Sequence, residues 1–232
     1  SEKEMRKDLK KSLEELKTDY IDIYMLHRDD PDTDVAVAVE TFNAMHEEGN
    51  IGAFGASNWT HTRIEEANEY TYKHNLIPFS VSSPNFCLAR QIEDPWGGGC
   101  VNISGPENQE ARAWYEKNQM PVIAYASLGR GFFSGRMKSE YADHASDYLD
   151  SFAMTGYACS DNFERLRRCE IIAEKHGVTV AQIAMNWIFS HPLNIFAIAS
   201  MSKADRMKAN REALLLQLSD EEIAYLDLET PE

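Results

Sequence analysis

Long hydrophobic runs are missing from this 232-residue chain. No uninterrupted apolar stretch approaches the roughly eighteen residues of a membrane-spanning helix. The opening segment, SEKEMRKDLKK, is charged where a secretion signal would be apolar. A cytoplasmic protein without a membrane partner is therefore expected. Basic charge is scarce as well: 23 Lys and Arg stand against 38 Asp and Glu, a net charge of −15. That field repels a phosphate backbone, so no nucleic-acid partner is expected, although one small anion needs only a local cluster of donors. Cysteine is limited to Cys87, Cys100, Cys159 and Cys169, with no CxxC pair and no zinc-ligand spacing. They read as reduced thiols, and no metal site is expected. A GxGxxG segment after a first strand is also lacking, which counts against a Rossmann-type dinucleotide domain.

What is present is globular: 43% hydrophobic and 26% charged residues, enough for one α/β domain with a sizeable core or two small ones. Ser1 and Glu4 have the spacing of a capping box, and Met5, Leu9, Leu13 and Leu16 mark one apolar helix face. The run 20–26 reads as a buried strand ending at His27. Val35, Val39, Phe42 and Met45 suggest a helix stopped near Gly49. Further strands are expected at 51–56, 79–83, 121–126 and 194–200. Helices are expected at 61–74, 107–119, 162–176, 180–190, 203–214 and 220–228, the last opened by a second capping box at Ser219 and Glu222. Residues 127–160 form a long, weakly patterned insertion. Five strands alternating with helices in one series demand a mostly parallel sheet covered by helices, without choosing between an open sheet and a barrel.

In parallel α/β folds the functional groups sit at the C-terminal ends of strands. Those ends are polar here: His27, Ser57-Asn58, Ser83, Tyr125 to Leu128, and Ser200 to Ser202. Any one of them is compatible with a core or solvated residue; five together point to a ligand. Phe86, Trp59, Trp96 and the segment 132–160 are candidate pocket walls, with core packing the alternative.

Four of these segments resemble one family. LKTDYIDIYMLHRDD is similar to the aldo/keto reductase segment through the fourth barrel strand to the active-site histidine. GNIGAFGASNW resembles the next strand, PVIAYASLGRGFFSGR the seventh-strand phosphate loop, and ASMSKADRMKANREAL the eighth-strand loop and helix. The resemblance implies a parallel (β/α) barrel of TIM type over 1–232, incomplete, with about five units corresponding to strands 4–8. It implies NADP(H)-dependent hydride transfer to or from a small-molecule carbonyl or alcohol in the intact form. His27 then orients and polarises the carbonyl, and Ser57, Asn58 and Ser83 face the nicotinamide. Tyr125, Ser127, Leu128 and Gly129 wrap the pyrophosphate, the glycines at 129 and 131 letting backbone N–H groups approach it. Ser200, Ser202, Lys203 and Arg206 read the ribose phosphate, with Ser202 also capping the following helix, and Asn210 meets adenine.

The chain departs from the family pattern at four places. Ser83 stands where a glutamine is common, Ala126-Ser127-Leu128 replaces Ser-Pro-Leu, Ser200 replaces a glycine, and Ala209 replaces an acid. The family's catalytic tyrosine, aspartate and lysine belong to segments before the fourth strand, and no tyrosine here matches the proton donor by motif. The alternative function is thus a catalytically incomplete nucleotide-binding or assembly module, a pseudoenzyme or truncated fragment. Two open strand edges and an apolar inner face would also favour self-association.

Overall fold

The computed structural model describes residues 1–200 and 203–230. Its contacts divide the chain into two compact units, Ser1–Ser83 and Pro84–Glu232.

The first unit alternates helices and strands: α1 (Glu2–Leu16), β1 (Ile21–Leu26), α2 (Val35–Glu47), β2 (Ile51–Ser57), α3 (His61–His74) and β3 (Val81–Ser83). Each helix has a stated start. The Glu4 carboxylate takes the Ser1 hydroxyl at 2.8 Å, Asp34 accepts the Ala36 amide at 2.8 Å, and Thr60 accepts that of Arg63 at 3.2 Å. On α2 the residues Val35, Ala38, Val39, Phe42 and Met45 recur at helical spacing, and all are buried. The ring of Phe42 stacks on Phe54 at 5.1 Å and meets the edge of Phe79 at 5.7 Å. These three fully buried rings fill the space between helix and strands.

The three strands are parallel, in the order β1-β2-β3, with Ile21 opposite Ile51, Leu26 opposite Ala56, Gly55 opposite Val81 and Ser57 opposite Ser83. Gly55 is obligatory: a Cβ there would lie 1.8 Å from the Val81 carbonyl oxygen. One expectation is corrected. β1 is not buried; Asp22 and Ile23 are exposed and no residue of the strand is fully enclosed. It is the outer strand of the three, so one of its edges lacks the cover that β2 has, and its apolar composition does not decide burial.

The second unit contains α4 (Gln109–Asn118), β4 (Val122–Ala124), α5 (Ser151–Tyr157), α6 (Ser160–His176), α7 (Val180–Phe189), β5 (Ile195–Ala197), α8 (Ala204–Glu212) and α9 (Asp220–Leu226). β4 and β5 are parallel, Val122 opposite Ile195 and Ala124 opposite Ala197. The fold is thus parallel α/β, with five strands that run parallel within each unit. Both strands of this unit are three residues long, shorter than the apolar runs that announce them. The segment 127–160 is no bare insertion. It carries the 3-10 stretches Gly129–Gly131 and Ser139–Asp147 as well as α5, and Phe132, Phe133, Met137 and Tyr157 within it are fully buried. Isolated apolar residues on irregular backbone have no period to read, so their burial is decided by tertiary packing. Phe196 and Ile198, at β5, are 58% and 51% exposed, leaving apolar surface beside that strand. No described helix is long and apolar enough to cross a membrane. Among the described residues no disulfide joins the cysteines, and Cys87 and Cys169 are buried.

Candidate functional site

In the first unit the strand ends meet. Asn58, just past β2, donates its side-chain amide to the His27 carbonyl at 3.0 Å and to the Ser57 hydroxyl at 3.2 Å. Ser57 Oγ in turn donates to the Ser83 carbonyl at 2.8 Å, and the Asn58 backbone N–H reaches the same oxygen at 3.2 Å. The ends of β1, β2 and β3 are therefore tied by one hydrogen-bonded chain. Asn58 takes part from a left-handed backbone, φ 58°, a conformation asparagine adopts more readily than most residues. Ser57, Asn58 and Ser83 are buried, while His27 is exposed at the strand end. The network fixes the backbone that carries His27 and leaves its ring accessible.

The loop after His27 is held from α3. Arg63 Nε lies 3.3 Å from Asp29 Oδ2, its Nη2 donates to the Thr33 carbonyl, and its guanidinium sits 5.2 Å over the Trp59 ring. Burial raises the Asp29 carboxyl above its ordinary range, and Arg63 offsets part of that rise. Trp59 is 3% exposed and lines a small cavity of this unit together with Asp29, Thr33 and Arg63.

The other expected residues belong to the second unit. Ser127 Oγ lies 3.2 Å from the Ala124 carbonyl and 2.9 Å from that of Ile198, joining the end of β4 to the segment after β5. Tyr125 presents its ring to Trp96 at 5.6 Å, edge on. Arg130 stands 5.9 Å over Trp96 and pairs with Asp150 at 2.7 Å. The backbone runs left-handed at Ala126, Gly129, Arg130 and Gly131. The amide of Gly129 donates to the Ala126 carbonyl at 2.7 Å, and that of Gly131 to Leu128 at 3.1 Å. The tight turns close on themselves, so these two N–H groups are engaged within the loop and do not point outward as a free cradle.

Ser200 is exposed, and Ser202 lies outside the described residues. The N-cap of α8 is Lys203, without a side-chain cap, one residue beyond the serine expected to serve. Lys203 and Arg206 are exposed, and neither forms an ion pair among the described residues. Asn210 is half-buried on the same helix. Phe86 is a core residue, packed 5.2 Å from Trp187 and 5.1 Å from His191.

Sequence reasoning missed the buried polar residues of this unit. Asn85 donates to the Tyr157 hydroxyl at 2.7 Å, and burial raises that phenol above its ordinary range. Burial likewise pushes the Cys87 thiol up to about 12, so it stays uncharged. Arg165 is 7% exposed on the inner face of α6. Its signal was legible: Asn162, Arg165, Cys169 and Ile172 share one helix face, with a guanidinium at a core position.

A sequence model of the aldo/keto reductase family matches residues 1–228. Aldo-keto reductase str7 of Strobilurus tenacellus is 26% identical over 217 residues, covering 92% of this chain and 59% of the relative. Norsolorinic acid reductase of Aspergillus flavus is 25% identical over 230 residues, covering 97% and 52%. Among solved structures, a thermostable aldo-keto reductase in complex with the inhibitor epalrestat is 24% identical with a TM-score of 0.69, covering 97% of this chain and 65% of its own. That likeness shows a shared fold. The chain spans 52–59% of the length of the two curated relatives.

Proposed function

The chain belongs to the aldo/keto reductase family, and from that premise we propose that it serves NADP(H)-dependent hydride transfer to or from a small carbonyl or alcohol. Its five β/α units correspond in this reading to strands 4–8 of a (β/α) barrel. The observation that carries the proposal is the chain of hydrogen bonds from Ser83 through Ser57 and Asn58 to the His27 carbonyl. It gives rigid backing to the residues that would meet the nicotinamide and the substrate, and preorganised donors need no rearrangement at the moment of reaction.

The residues present fit the cofactor in part. Lys203 and Arg206 are exposed cations at the start of a helix, without an ion-pair partner among the described residues, which suits a ribose phosphate. The donors of Gly129 and Gly131 are already engaged, so contact with a pyrophosphate would fall to Leu128 or to side chains at this loop. Ser57, Asn58 and Ser83 would hold the carboxamide end and Asn210 the adenine end. When bound, the cofactor supplies or accepts the hydride. His27 would donate a hydrogen bond to the substrate oxygen, orienting the carbonyl and stabilising charge that develops on it.

One observation favours a second reading, a nucleotide-binding or assembly module without turnover. Tyr157 is fully buried with its hydroxyl bonded to Asn85, so it cannot hand a proton to a substrate. No tyrosine of the chain, Tyr157 included, matches the family's acid by motif.

The test is a fluorescence titration of the 232-residue chain with NADPH and with NADH. Saturable binding that prefers NADPH is expected, with Lys203→Ala/Arg206→Ala lowering that preference by roughly tenfold, about 1.4 kcal/mol. Reduction of an aromatic aldehyde by NADPH that His27→Ala abolishes would place the enzyme reading first. Binding without turnover would select a nucleotide-binding module, and no binding of either cofactor would defeat the hydride-transfer reading and put the assembly module first.

A further inference from the structure

The second unit holds a cavity of about 150 Å³ that is lined by none of the residues assigned above to cofactor or substrate. At roughly 30 Å³ per molecule it has room for about five waters, or for one small solute. Its polar walls are Arg112 on α4, Arg165 on α6, His191 just beyond α7, and Asp227 after α9, with the exposed Glu229 beside them.

Donors outnumber acceptors there. A guanidinium carries five N–H groups. Arg112 commits Nη1 to the Ile103 carbonyl at 2.7 Å and to that of Gly105 at 2.6 Å, leaving its Nε and Nη2 without acceptors among the described residues. Arg165 makes one long contact, Nη1 to Asn162 Oδ1 at 3.4 Å. Neither arginine forms an ion pair among the described residues, although Asp227 and Glu229 line the same space. One oxygen of Asp227 is already taken by the Trp187 indole N–H at 3.0 Å. Burial and the neighbouring Glu229 raise the Asp227 carboxyl, and the Trp187 hydrogen bond and the two arginines offset part of that rise. Arg165 is 7% exposed, and the N–H groups it does not use on protein are left to whatever fills the cavity.

We propose that this cavity binds a small oxyanion, free phosphate or the carboxylate of a small molecule, gripped between Arg112 and Arg165. An oxyanion brings a negative charge and several acceptor oxygens to a space lined by both guanidiniums, which water, neutral and donor as well as acceptor, does less well. The planar forks suit either a carboxylate or a phosphate edge. Leu88, Pro106 and Trp187 close the remaining walls and limit what can follow the anionic group inside.

The experiment uses the full chain in a buffer free of oxyanions. Inorganic phosphate and, separately, acetate are titrated at constant ionic strength against sodium chloride while the four tryptophan indole signals are followed by ¹⁵N NMR. The Trp187 indole should shift saturably with phosphate or acetate and not with chloride, the responding anion identifying the class. Arg165→Gln should weaken that binding at least tenfold, and Arg136→Gln, an exposed arginine away from the cavity, should leave it unchanged. A Trp187 signal that ignores both anions, saturation by chloride alone, or wild-type affinity in Arg165→Gln would overturn the proposal. Should Arg165→Gln fail to fold, Arg112→Lys keeps the charge but loses the fork, and wild-type affinity there overturns it equally.

Discussion

Both units bury aromatic rings, but Ser1–Ser83 packs them beneath strands of six and seven residues, whereas Pro84–Glu232 has strands of three and also buries the guanidiniums of Arg165 and Arg168. The difference follows from where the backbone hydrogen bonds go. A long parallel ladder satisfies its own N–H and C=O groups, so side chains on its covered face can be wholly apolar. Short strands leave more of the chain as turns, and buried turns need side-chain partners. Asn162 shows this directly: its amide bonds the Arg90 N–H and carbonyl and the Tyr157 carbonyl. Asn186 does the same for the carbonyls of Ala213 and Leu216.

The contrast can be broken by substitution. The largest effect is expected at Phe42, fully buried among Tyr24, Phe54 and Phe79. Phe42→Ala should cost about 3–5 kcal/mol in urea unfolding, the range for emptying an aromatic site in a core. A loss below ~1 kcal/mol would mean that the rings do not hold the first unit together.

Asn162→Ala should cost about 2–3 kcal/mol, because two carbonyls and one N–H lose their partner where water does not enter. Exchange of the Arg90 amide with deuterium should quicken in parallel. If the variant behaves like a surface substitution, the account of the second unit as amide-held fails.

The smallest effect concerns the helix ends of the second unit. Burial alone would raise the Glu222 carboxyl, but Lys175, the Ser219 amide and His176 outweigh it and hold it down to about 2, from an ordinary 4.5. A folded-state pKa below the unfolded one contributes stability that is full above pH 4.5 and is lost as the pH falls toward 2. Glu222→Gln should therefore cost about 1–2 kcal/mol at neutral pH and flatten the loss of stability over that acid range. Parallel acid-unfolding curves for the two proteins would remove Glu222 from the picture.

The same contrast separates what could be read in advance. The helical spacing on α2, the capping residues Ser1 and Ser219, and the order of strands and helices all lie in local pattern, and each expected element forms within a few residues of its expected bounds. The polar strand ends His27, Ser57, Asn58 and Ser83 were visible for the same reason: in a parallel fold the end of an apolar run marks the ligand side. The bonds joining them were not visible, since they span 26 and 31 residues of sequence. Trp59 and Phe86 show what sequence leaves open. An aromatic residue near a site motif carries no mark that tells a pocket wall from a core residue; Phe86 is packed in the core, while Trp59 is buried and lines a small cavity.

The sequence by itself determined the alternation, the parallel sheet, the family and the candidate residues, because these follow from periodicity and from short motifs. Tertiary structure alone decided that β1 is half open, that the Gly129 and Gly131 amides close on their own loop, and that Arg112 and Arg165 face one cavity. Each depends on which distant atoms arrive beside a group, and burial, hydrogen-bond partners and charge balance are properties of that neighbourhood rather than of the chain order.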